Sequence, residues 1–399
     1  MSRAPRVCYA GTYERDYSRN QLVIRALRDA GARVEEAHVA VSERRRDKSR
    51  LSGLARGGLA ARLGWAYTRL VPAVTLRLLR CDALAVGYIG QLDMLVLAPI
   101  ARALGRTVIF NPLVTLTDTL VEDRWRIPAS SPKARLLALV DRAALRLADV
   151  VLVDTAQNGR YLNERFGVAA ERIVVVAVGA EDLFATTGSV DVARSAQDGV
   201  RDARDVTDVG TLDPLDVLFV GKFIPLHGVE TIIQAAALLR DRRVAARIEL
   251  VGTGQTYRRT RALAAALDLD ADTLIWTDWI PFGELGARLR RADVALGIFD
   301  AGEKAARVVP NKLFQSLACG VASITRASPA VAAWLRDDES VLLVPAADPA
   351  ALAGAIARLT DAELRARIGA GGHAAYVAHA SRAALAAQLR PLVDELALR

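Results

Sequence analysis

The residue pair Gly221-Lys222 ends a short apolar run, and Pro225 and Gly228 then shape a turn that leads into a helical pattern. A cation at the carboxyl end of a strand can neutralise an anionic group bound beside the sheet. An ordinary strand, turn and helix with a solvated lysine would show the same pattern. The segment is therefore a candidate anion-binding loop in which Lys222 supplies the positive charge.

A second candidate lies at residues 302–320, where Pro310 suits the first turn of a short helix and Gly320 suits its end. The free N–H groups at the start of a helix and the positive end of its dipole can hold a diphosphate. Gln315 lies four residues after Asn311, on the same helical face. Three basic residues cluster around the helix start, namely Lys304, Arg307 and Lys312. A capped helix with a solvated basic rim is the alternative interpretation.

The distribution of lysine favours the functional interpretation of both segments. Only five of the 53 basic residues are lysine, so the chain uses arginine wherever a general positive charge is needed. All three lysines of the second half of the chain fall in these two segments, at Lys222, Lys304 and Lys312. An ammonium group is a compact point charge, unlike the planar guanidinium fork.

A third glycine-containing turn, Gly252-Thr253-Gly254, follows a predicted strand and opens a helix. It resembles the start of a dinucleotide-binding fingerprint, but Tyr257 stands where the third glycine belongs. The pattern is weak evidence for a nicotinamide cofactor and fits a tight turn equally well.

In the first half of the chain, a loop beginning at Gly11 follows the first predicted strand, and Asn111 ends another. Asp118 and Glu122 come shortly after Asn111 and could bind the hydroxyl groups of an acceptor, or could be exposed acids of a helix. The candidate ligand-binding residues in this half are Gly11, Tyr13, Arg15, Arg19, Asn111, Asp118 and Glu122.

The elements that would position these residues alternate along the chain. Short β-branched runs predict strands, and the Ala-, Leu- and Arg-rich stretches between them predict amphipathic helices. This alternation is typical of βαβ units and a parallel sheet, whose ligands bind beyond the carboxyl ends of the strands. The predicted strands are 6–10, 33–39, 82–87, 107–111, 150–154 and 173–178, then 216–220, 247–251, 273–276, 293–298, 321–325 and 340–344.

The polar stretch 185–212 interrupts the alternation and predicts an interdomain linker or exposed loop. We therefore expect a first Rossmann-like lobe at 1–184 and a second at 213–380, facing each other across a cleft. Residues 381–399 are predicted to form a C-terminal helix that packs back on the first lobe.

Composition excludes several classes of protein. Hydrophobic residues make up 52% of the 399 residues, which excludes a mostly disordered chain and fits two domains. The three cysteines lie far apart and the four histidines show no zinc-binding spacing, so we expect neither a disulfide framework nor a metal site, and a reducing cytoplasm fits best. No apolar run is long enough to span a bilayer, and the N-terminus has no signal-peptide pattern.

Segment 41–80 carries ten basic and two acidic residues, which accounts for the whole net charge of +8. Such a local imbalance argues against a nucleic-acid coat and for one basic surface, running from Arg44 to Arg80. A basic amphipathic surface would bind anionic lipid at the inner face of the cell membrane. A solvated face of an arginine-rich protein is the alternative.

The segments around Val220-Gly221-Lys222, 251–254 and 309–320 resemble the glycosyltransferases of the GT-B fold, most closely glycosyltransferase family 4. The resemblance implies an α/β fold of two Rossmann-like lobes, with a nucleotide-diphosphate sugar donor bound by the second lobe, 213–380, and an acceptor bound by the candidate residues of the first lobe, 1–184. It also implies transfer with retention and without a metal or other cofactor. The donor residues it implies are Gly221, Lys222, His227, Gly252, Gly254, Trp279, Ile280, Glu303, Lys304, Val309, Pro310, Asn311, Lys312 and Gln315.

The chain departs from the family pattern at three motif positions. His227 takes the position of a second basic residue that is usually lysine, and Gln315 takes that of the second Glu of a Glu-x7-Glu pair that holds the donor ribose. The first Glu falls on Arg307, so Glu303 is the candidate to replace it. A neutral amide binds ribose hydroxyl groups more weakly than a carboxylate does.

The mechanism implied is stabilisation of the leaving diphosphate by Lys222, Lys312 and Arg307 together with the helix N-terminus. The acceptor would be a small metabolite, a lipid-linked sugar or a polysaccharide. Two alternatives remain: a nucleotide-sugar epimerase or hydrolase that shares the lobes, and a non-catalytic partner subunit in which the Glu pair has been lost.

Overall fold

The computed structural model describes residues 3–15, 17–41, 53–123, 127–185 and 214–398, and for 53–60, 122 and 123 it describes the backbone alone. The predicted linker 185–212 lies outside the described residues except for Ala185, as do positions 44–50 of the basic segment. Two compact units make up the chain: Met1–Val178 with Arg382–Arg399, and Gly179–Ser381.

The first unit is built on a parallel sheet. Its described strands run in the order β2-β1-β3-β4-β5-β6, and every neighbouring pair is parallel. The strands are β1 (Arg6–Gly11), β2 (Arg33–His38), β3 (Ala83–Val86), β4 (Thr107–Phe110), β5 (Val150–Val153) and β6 (Ile173–Val175). β3 and β4 are buried along their whole length because helices cover both faces of a sheet of this kind.

Helices connect these strands, as the alternating pattern predicts. They are α1 (Ser18–Asp29), α2 (Gly53–Leu78), α3 (Gln91–Ala103), α4 (Pro132–Leu147) and α5 (Ala156–Phe166), with a π-helical turn at Asp118–Asp123 and a 3-10 turn at Ala170–Arg172. Ser131 and Thr155 cap α4 and α5 through side-chain oxygens that accept from backbone N–H groups.

The second unit repeats the architecture. Its described strands run in the order β12-β11-β10-β7-β8-β9, again all parallel. They are β7 (Leu215–Val220), β8 (Ala246–Val251), β9 (Leu274–Thr277), β10 (Val294–Leu296), β11 (Ala322–Arg326) and β12 (Leu342–Val344).

The helices of the second unit are α6 (Val229–Asp241), α7 (Tyr257–Ala266), α8 (Phe282–Arg291), α9 (Glu303–Arg307), α10 (Asn311–Ala318), α11 (Pro329–Ala332), α12 (Pro349–Arg358) and α13 (Ala362–Ala380), with 3-10 turns at Asp182–Phe184 and Pro225–His227. Helix α6 packs on α12 and α10 packs on α13. The core between sheet and helices is mainly Val, Leu, Ile and Ala, with Phe219, Phe223 and Phe299 as its large members.

The last helix, α14 (Arg382–Leu398), packs against α1 of the first unit. Arg382 forms an ion pair with Asp29 at 2.5 Å. The boundary between the units differs from the predicted one, because Gly179–Phe184 pack with the second unit rather than ending the first. Among the described helices, none combines the length and the apolarity that a membrane span requires.

Candidate functional site

The sheet of the second unit reverses its strand order between β7 and β10. Strands β7, β8 and β9 follow one another to one side, and β10, β11 and β12 to the other. The loops after β7 and β10 therefore leave their strands in opposite directions and open a crevice, which is where ligands bind in open parallel sheets. Gly221 and Lys222 follow β7 at this position, and Phe299 and Asp300 lie in the loop that follows β10.

Lys312 reaches this crevice from α10. Its Nζ lies 3.7 Å from the centroid of the Phe219 ring, and a Cβ added at Gly221 would lie only 2.6 Å from it. The Nζ atom is buried and has no hydrogen-bond partner among the described residues. Burial holds the pKa of this ammonium group well below its usual range. The site therefore contains a desolvated amine that an anion would stabilise in its charged form.

Helix α10 begins one residue later than predicted. Pro310 has extended backbone angles and precedes the helix, which starts at Asn311. No side chain in the described part of the chain forms a capping hydrogen bond at this end, so no such cap uses the first N–H groups of the helix. Gly320 ends the segment with φ of 72°, as the sequence pattern predicts.

His227 closes the other side of the loop after β7. Its Nδ1–H donates to the backbone carbonyl of Lys222, and its ring lies 5.8 Å from that of Phe219 in an edge-on arrangement. Phe299 N–H in turn donates to the carbonyl of His227 at 3.1 Å. The side chain of Lys222 is exposed. Lys312, Gly221 and His227 are thus neighbours around one backbone position.

The glycine-containing turn after β8 is pressed against the same loop. Gly252 has φ of 132°, and a side chain on it would collide with the carbonyl oxygen of Gly221. Phe223 N–H donates to the carbonyl of Thr253 at 3.0 Å, and Thr256 N–H donates to the carbonyl of Phe223 at 2.9 Å. The turn therefore has a structural reason for its glycine: it lets two backbone loops come into contact.

Helix α9 carries the remaining basic candidates. Arg307 is mostly buried and lies 3.8 Å from Glu303, whose side chain is 97% exposed. The Glu303 carboxylate therefore faces solvent, and it does not supply a buried carboxylate in place of the first Glu of the family pair. Arg326 braces the loop before α9 by donating to the carbonyl of Asp300 at 2.6 Å. Lys304 is half-buried and Val309 is buried.

Gln315 is buried and donates through Nε2 to Oε2 of Glu181 at 3.4 Å. Glu181, also buried, was missed by the sequence analysis, because it lies far from every motif along the chain. The only available signal was an acid next to the apolar run 173–178. Trp279 and Ile280 follow β9, where Trp279 is exposed and Ile280 is half-buried.

In the first unit, the loop after β1 is fixed by Asp93 of α3. Thr12 N–H donates to Asp93 at 2.7 Å, and the hydroxyl of Tyr67 on α2 donates to it at 2.9 Å. Gly11 has φ of 142°, and a Cβ on it would lie 2.5 Å from the Asp93 carboxylate. Burial raises the pKa of Asp93, and these hydrogen bonds act against that rise.

The other candidates of the first unit take different places. Arg19 is fully buried and donates to the side chain of Asn111 at 2.9 Å and to the carbonyl of Val176 at 2.6 Å. Tyr13 is buried and donates to Glu36 at 3.2 Å. Arg19 and Tyr13 thus join elements of the fold, whereas the sequence analysis names them only as candidates to bind a ligand.

Arg15 is exposed, as expected for a residue of an open loop. Asp118 is buried at the start of the π-helical turn, which differs from the exposed acid considered as an alternative. The side chain of Glu122 lies outside the described residues. No cluster of three or more His, Cys, Asp or Glu side chains that could hold a metal ion occurs within the described part of the chain.

Two family models match the chain. Residues 7–179 match the glycosyl transferase 4-like domain, and residues 214–362 match glycosyl transferases group 1. D-inositol 3-phosphate glycosyltransferase from Acidothermus cellulolyticus is 33% identical over 285 residues, which cover 68% of this chain and 58% of that protein. The matched region thus spans less than two thirds of this relative's own length.

Solved structures share the architecture. Sucrose-phosphate synthase from Thermosynechococcus elongatus has a TM-score of 0.68 at 19% identity, over 98% of this chain and 99% of that one. Anabaena HepE, solved in complex with UDP-glucose, has a TM-score of 0.65 at 14% identity over 98% and 99% of the two chains. At these identities the likeness shows the fold alone, and it confirms the predicted fold class of two Rossmann-like lobes.

Proposed function

We propose that this chain, which belongs to the group 1 glycosyl transferases, moves a sugar from a nucleotide-diphosphate sugar to an acceptor hydroxyl group. The transfer would retain the configuration at the anomeric carbon and would need neither a metal ion nor another cofactor. The observation that most directly supports this proposal is the buried ammonium group of Lys312. It has no hydrogen-bond partner among the described residues and lies beside the loop after β7.

The donor diphosphate would bind where Lys312, the loop at Gly221-Lys222 and the start of α10 come together. Lys312 supplies a cation, the backbone at Gly221 has no side chain to block an anion, and the start of α10 supplies free N–H groups. The anion would also stabilise the charged form of the Lys312 amine, whose pKa is lowered by burial. A likeness to structures solved with UDP and UDP-glucose supports a nucleotide diphosphate as the ligand.

The same cations would assist the reaction. Breaking the bond between sugar and phosphate adds negative charge to the diphosphate, so groups that bind it more tightly in the transition state lower the barrier. Lys312, Lys222 and Arg307 are the candidates, and losing one such contact costs about 3 kcal/mol of transition-state stabilisation. The acceptor hydroxyl would attack from the face of the leaving group, and the departing phosphate would take its proton.

The acceptor would bind to the first unit, at the carboxyl ends of its strands. The loop after β1 with Gly11 and Arg15 and the segment after β4 with Asp118 supply polar groups there. Relatives matched by the chain are named for transfer to D-inositol 3-phosphate, which supports a hydroxyl-bearing acceptor. A lipid-linked sugar or a polysaccharide fits the same class.

We also propose that α2 brings this unit to an anionic membrane from the cytoplasmic side. One stripe of the helix, Ala66, Leu70, Val74 and Leu78, is buried. The opposite stripe is exposed and carries Arg62, Trp65, Arg69 and Leu76. Basic and aromatic side chains on the free face of a helix are the chemistry that binds anionic lipid headgroups.

A panel of nucleotide sugars tests the donor site directly. Thermal shift and calorimetry with UDP-, GDP-, ADP- and TDP-sugars should give one strong hit, and Lys222→Ala should weaken it by about tenfold or more. A hit that persists unchanged in Lys222→Ala would mean that the diphosphate binds elsewhere. No binding to wild type at all would instead favour a non-catalytic partner subunit.

Product analysis tests the reaction itself. Incubation with the nucleotide sugar that binds and a panel of hydroxyl acceptors should release the nucleoside diphosphate, and nuclear magnetic resonance of the product should show the donor's anomeric configuration. Turnover should survive a chelating agent. Inversion, or activity that is lost with the chelator and restored by a divalent ion, would contradict the proposed mechanism.

A further inference from the structure

Glu181 and Gln315 form a buried pair within the second unit. The amide Nε2 of Gln315 donates to Oε2 of Glu181 at 3.4 Å, and each side chain is less than a tenth exposed. A buried carboxylate loses its hydration and needs hydrogen-bond donors in return. The Glu181 carboxylate is therefore a strong hydrogen-bond acceptor at a place where α10 itself supplies only the neutral amide of Gln315.

The segment that carries Glu181 is held firmly on the second unit. The thiol of Cys319 donates to the carbonyl of Phe184 at 3.5 Å, and Arg290 donates to the carbonyl of Leu183 at 3.2 Å. The Phe184 ring packs edge-on against Phe282, with centroids 5.8 Å apart. These contacts fix the backbone next to Glu181, so its carboxylate has a defined position relative to α10.

The order of groups along α10 matches the order of groups in a nucleoside diphosphate. Lys312 lies in the first turn, and Gln315 follows three residues later, which is a rise of about 4.5 Å along the axis. An anion held at the helix start would thus have the Gln315–Glu181 pair about one turn away. In a nucleoside diphosphate, the diphosphate is joined through the 5′ carbon to the ribose, whose two neighbouring hydroxyl groups can form hydrogen bonds.

We infer that Glu181 recognises the ribose hydroxyl groups of the donor and that Gln315 positions its carboxylate, an assignment that rests on the proposed donor site. A carboxylate accepts from both hydroxyl groups with charge assistance, which an amide alone cannot do. The carboxylate comes from the segment before β7, outside the α10 motif, and Gln315 holds it there with its N–H group.

Deoxynucleotides separate recognition of the ribose from general support of the fold. Calorimetry would compare UDP, GDP and ADP with their 2′-deoxy and 3′-deoxy forms on wild type, Glu181→Gln, Gln315→Glu and the exchanged double variant Glu181→Gln/Gln315→Glu. Glu284→Gln, an exposed acid of the same unit, is the matched control. Wild type and the control should prefer the ribonucleotide about tenfold over at least one deoxy form.

Glu181→Gln should bind the deoxy form as wild type does and lose the preference for the ribonucleotide. Gln315→Glu alone should bind more weakly, because two carboxylates would then meet in a buried place. The double variant should regain the preference, since it restores one carboxylate and one amide. If Glu181→Gln keeps the wild-type preference, or if the double variant does not regain it, the inference is wrong while the donor site stands. If wild type binds no nucleoside diphosphate, both the inference about Glu181 and the proposed donor site are wrong.

Discussion

The ammonium group of Lys312 lies over the ring of Phe219, 3.7 Å from its centroid, in a position that the missing side chain of Gly221 leaves open. The face of an aromatic ring is a weak partner for a cation, compared with water or a carboxylate. The arrangement therefore keeps the amine in place but does not satisfy it. A group that is fixed and under-solvated before the ligand arrives loses little further solvation when the ligand binds.

Replacing this amine should change stability and binding in opposite directions. Lys312→Met keeps the length of the side chain and removes a buried charge, so the free energy of unfolding of the second unit should be unchanged or should rise by up to about 2 kcal/mol. Affinity for the nucleoside diphosphate should fall at least about tenfold, because the anion loses its buried cation.

Denaturation curves and calorimetry on the same samples measure the two effects. Lys133→Met, which removes an exposed lysine of the first unit, is the control and should alter neither. If Lys312→Met were clearly less stable than wild type, the amine would have a stabilising partner in the folded protein, and it would not be available to bind an anion.

Nucleotide binding should also take up protons. Burial holds the pKa of the Lys312 ammonium well below its usual range, and a bound diphosphate would raise it again. Affinity should therefore be greatest below the pKa that Lys312 has before the nucleotide binds, and it should fall as pH rises from there towards the pKa of Lys312 in the complex. Calorimetry in buffers of different ionisation enthalpy measures the proton uptake directly.

Lys312→Met should abolish that proton uptake, whereas Lys222→Met should weaken binding and leave the uptake in place, because it keeps the buried Lys312 amine. Equal proton uptake in wild type and Lys312→Met would assign the linkage to the phosphate or to another residue.

Substitution by alanine should affect stability differently at Gly221, in the loop after β7, and at Gly252, in the turn after β8. In Gly221→Ala the new Cβ would displace the Lys312 amine, which forms no hydrogen bond with the described residues, so the protein should keep its stability and lose nucleotide affinity. In Gly252→Ala the new Cβ meets the backbone carbonyl of Gly221 at a φ of 132°, so we expect a loss of about 1–3 kcal/mol in folding stability. Thermal unfolding and nucleotide titration of both variants distinguish these outcomes, and similar stability losses would contradict the assignment.

The sequence predicts the strands well because each is a short β-branched run between helical patterns, and all twelve predicted strands form. Their ends are less predictable. The predicted strand 173–178 stops at Val175, and the carbonyls of Val176 and Ala177 accept from Arg19 instead, a side chain more than 150 residues earlier. A pattern of neighbouring residues contains no information about such a partner.

The candidate site shows the same limit. Lys222 and Lys312 were found because lysine is rare in this chain and both follow turn or helix-start signals. The burial of the Lys312 amine depends on Phe219 and Gly221, which meet it only after the sheet has formed. The pairing of Gln315 with Glu181 joins residues 134 positions apart, and no local spacing rule covers that distance.

The exposed stripe of α2 should bind anionic vesicles. Arg69 stacks over the Trp65 ring at 4.3 Å, so the aromatic group and the charge are presented together. Each cation near an anionic surface contributes about 1 kcal/mol, so Arg62→Glu/Arg69→Glu should weaken binding by a factor of about a hundred or more. Co-sedimentation with phosphatidylglycerol and phosphatidylcholine vesicles measures it, with Arg291→Glu on the second unit as control. Equal binding of wild type to both lipids would exclude the electrostatic surface.

The loop after β1 offers a test of the first unit that is independent of any ligand. Gly11→Ala forces a side chain into a φ of 142° and against the Asp93 carboxylate, which already receives hydrogen bonds from Thr12 and Tyr67. Moving that carboxylate would break contacts among β1, α2 and α3 together, so we expect the first unit to lose about 2–3 kcal/mol.

Gly64→Ala is the matched control, because it adds a methyl group in an exposed helical position, where no described atom outside the adjoining helix backbone lies within 4 Å. It should raise stability by about 0.5–1 kcal/mol, since alanine has the higher helix propensity. Chemical denaturation measures the free energy of unfolding of each variant. Relative to wild type it should fall for Gly11→Ala and rise for Gly64→Ala, although both variants add one methyl group. If Gly11→Ala were as stable as wild type, the Asp93 carboxylate could move freely, and its hydrogen bonds would not be what fixes the loop that we assign to the acceptor.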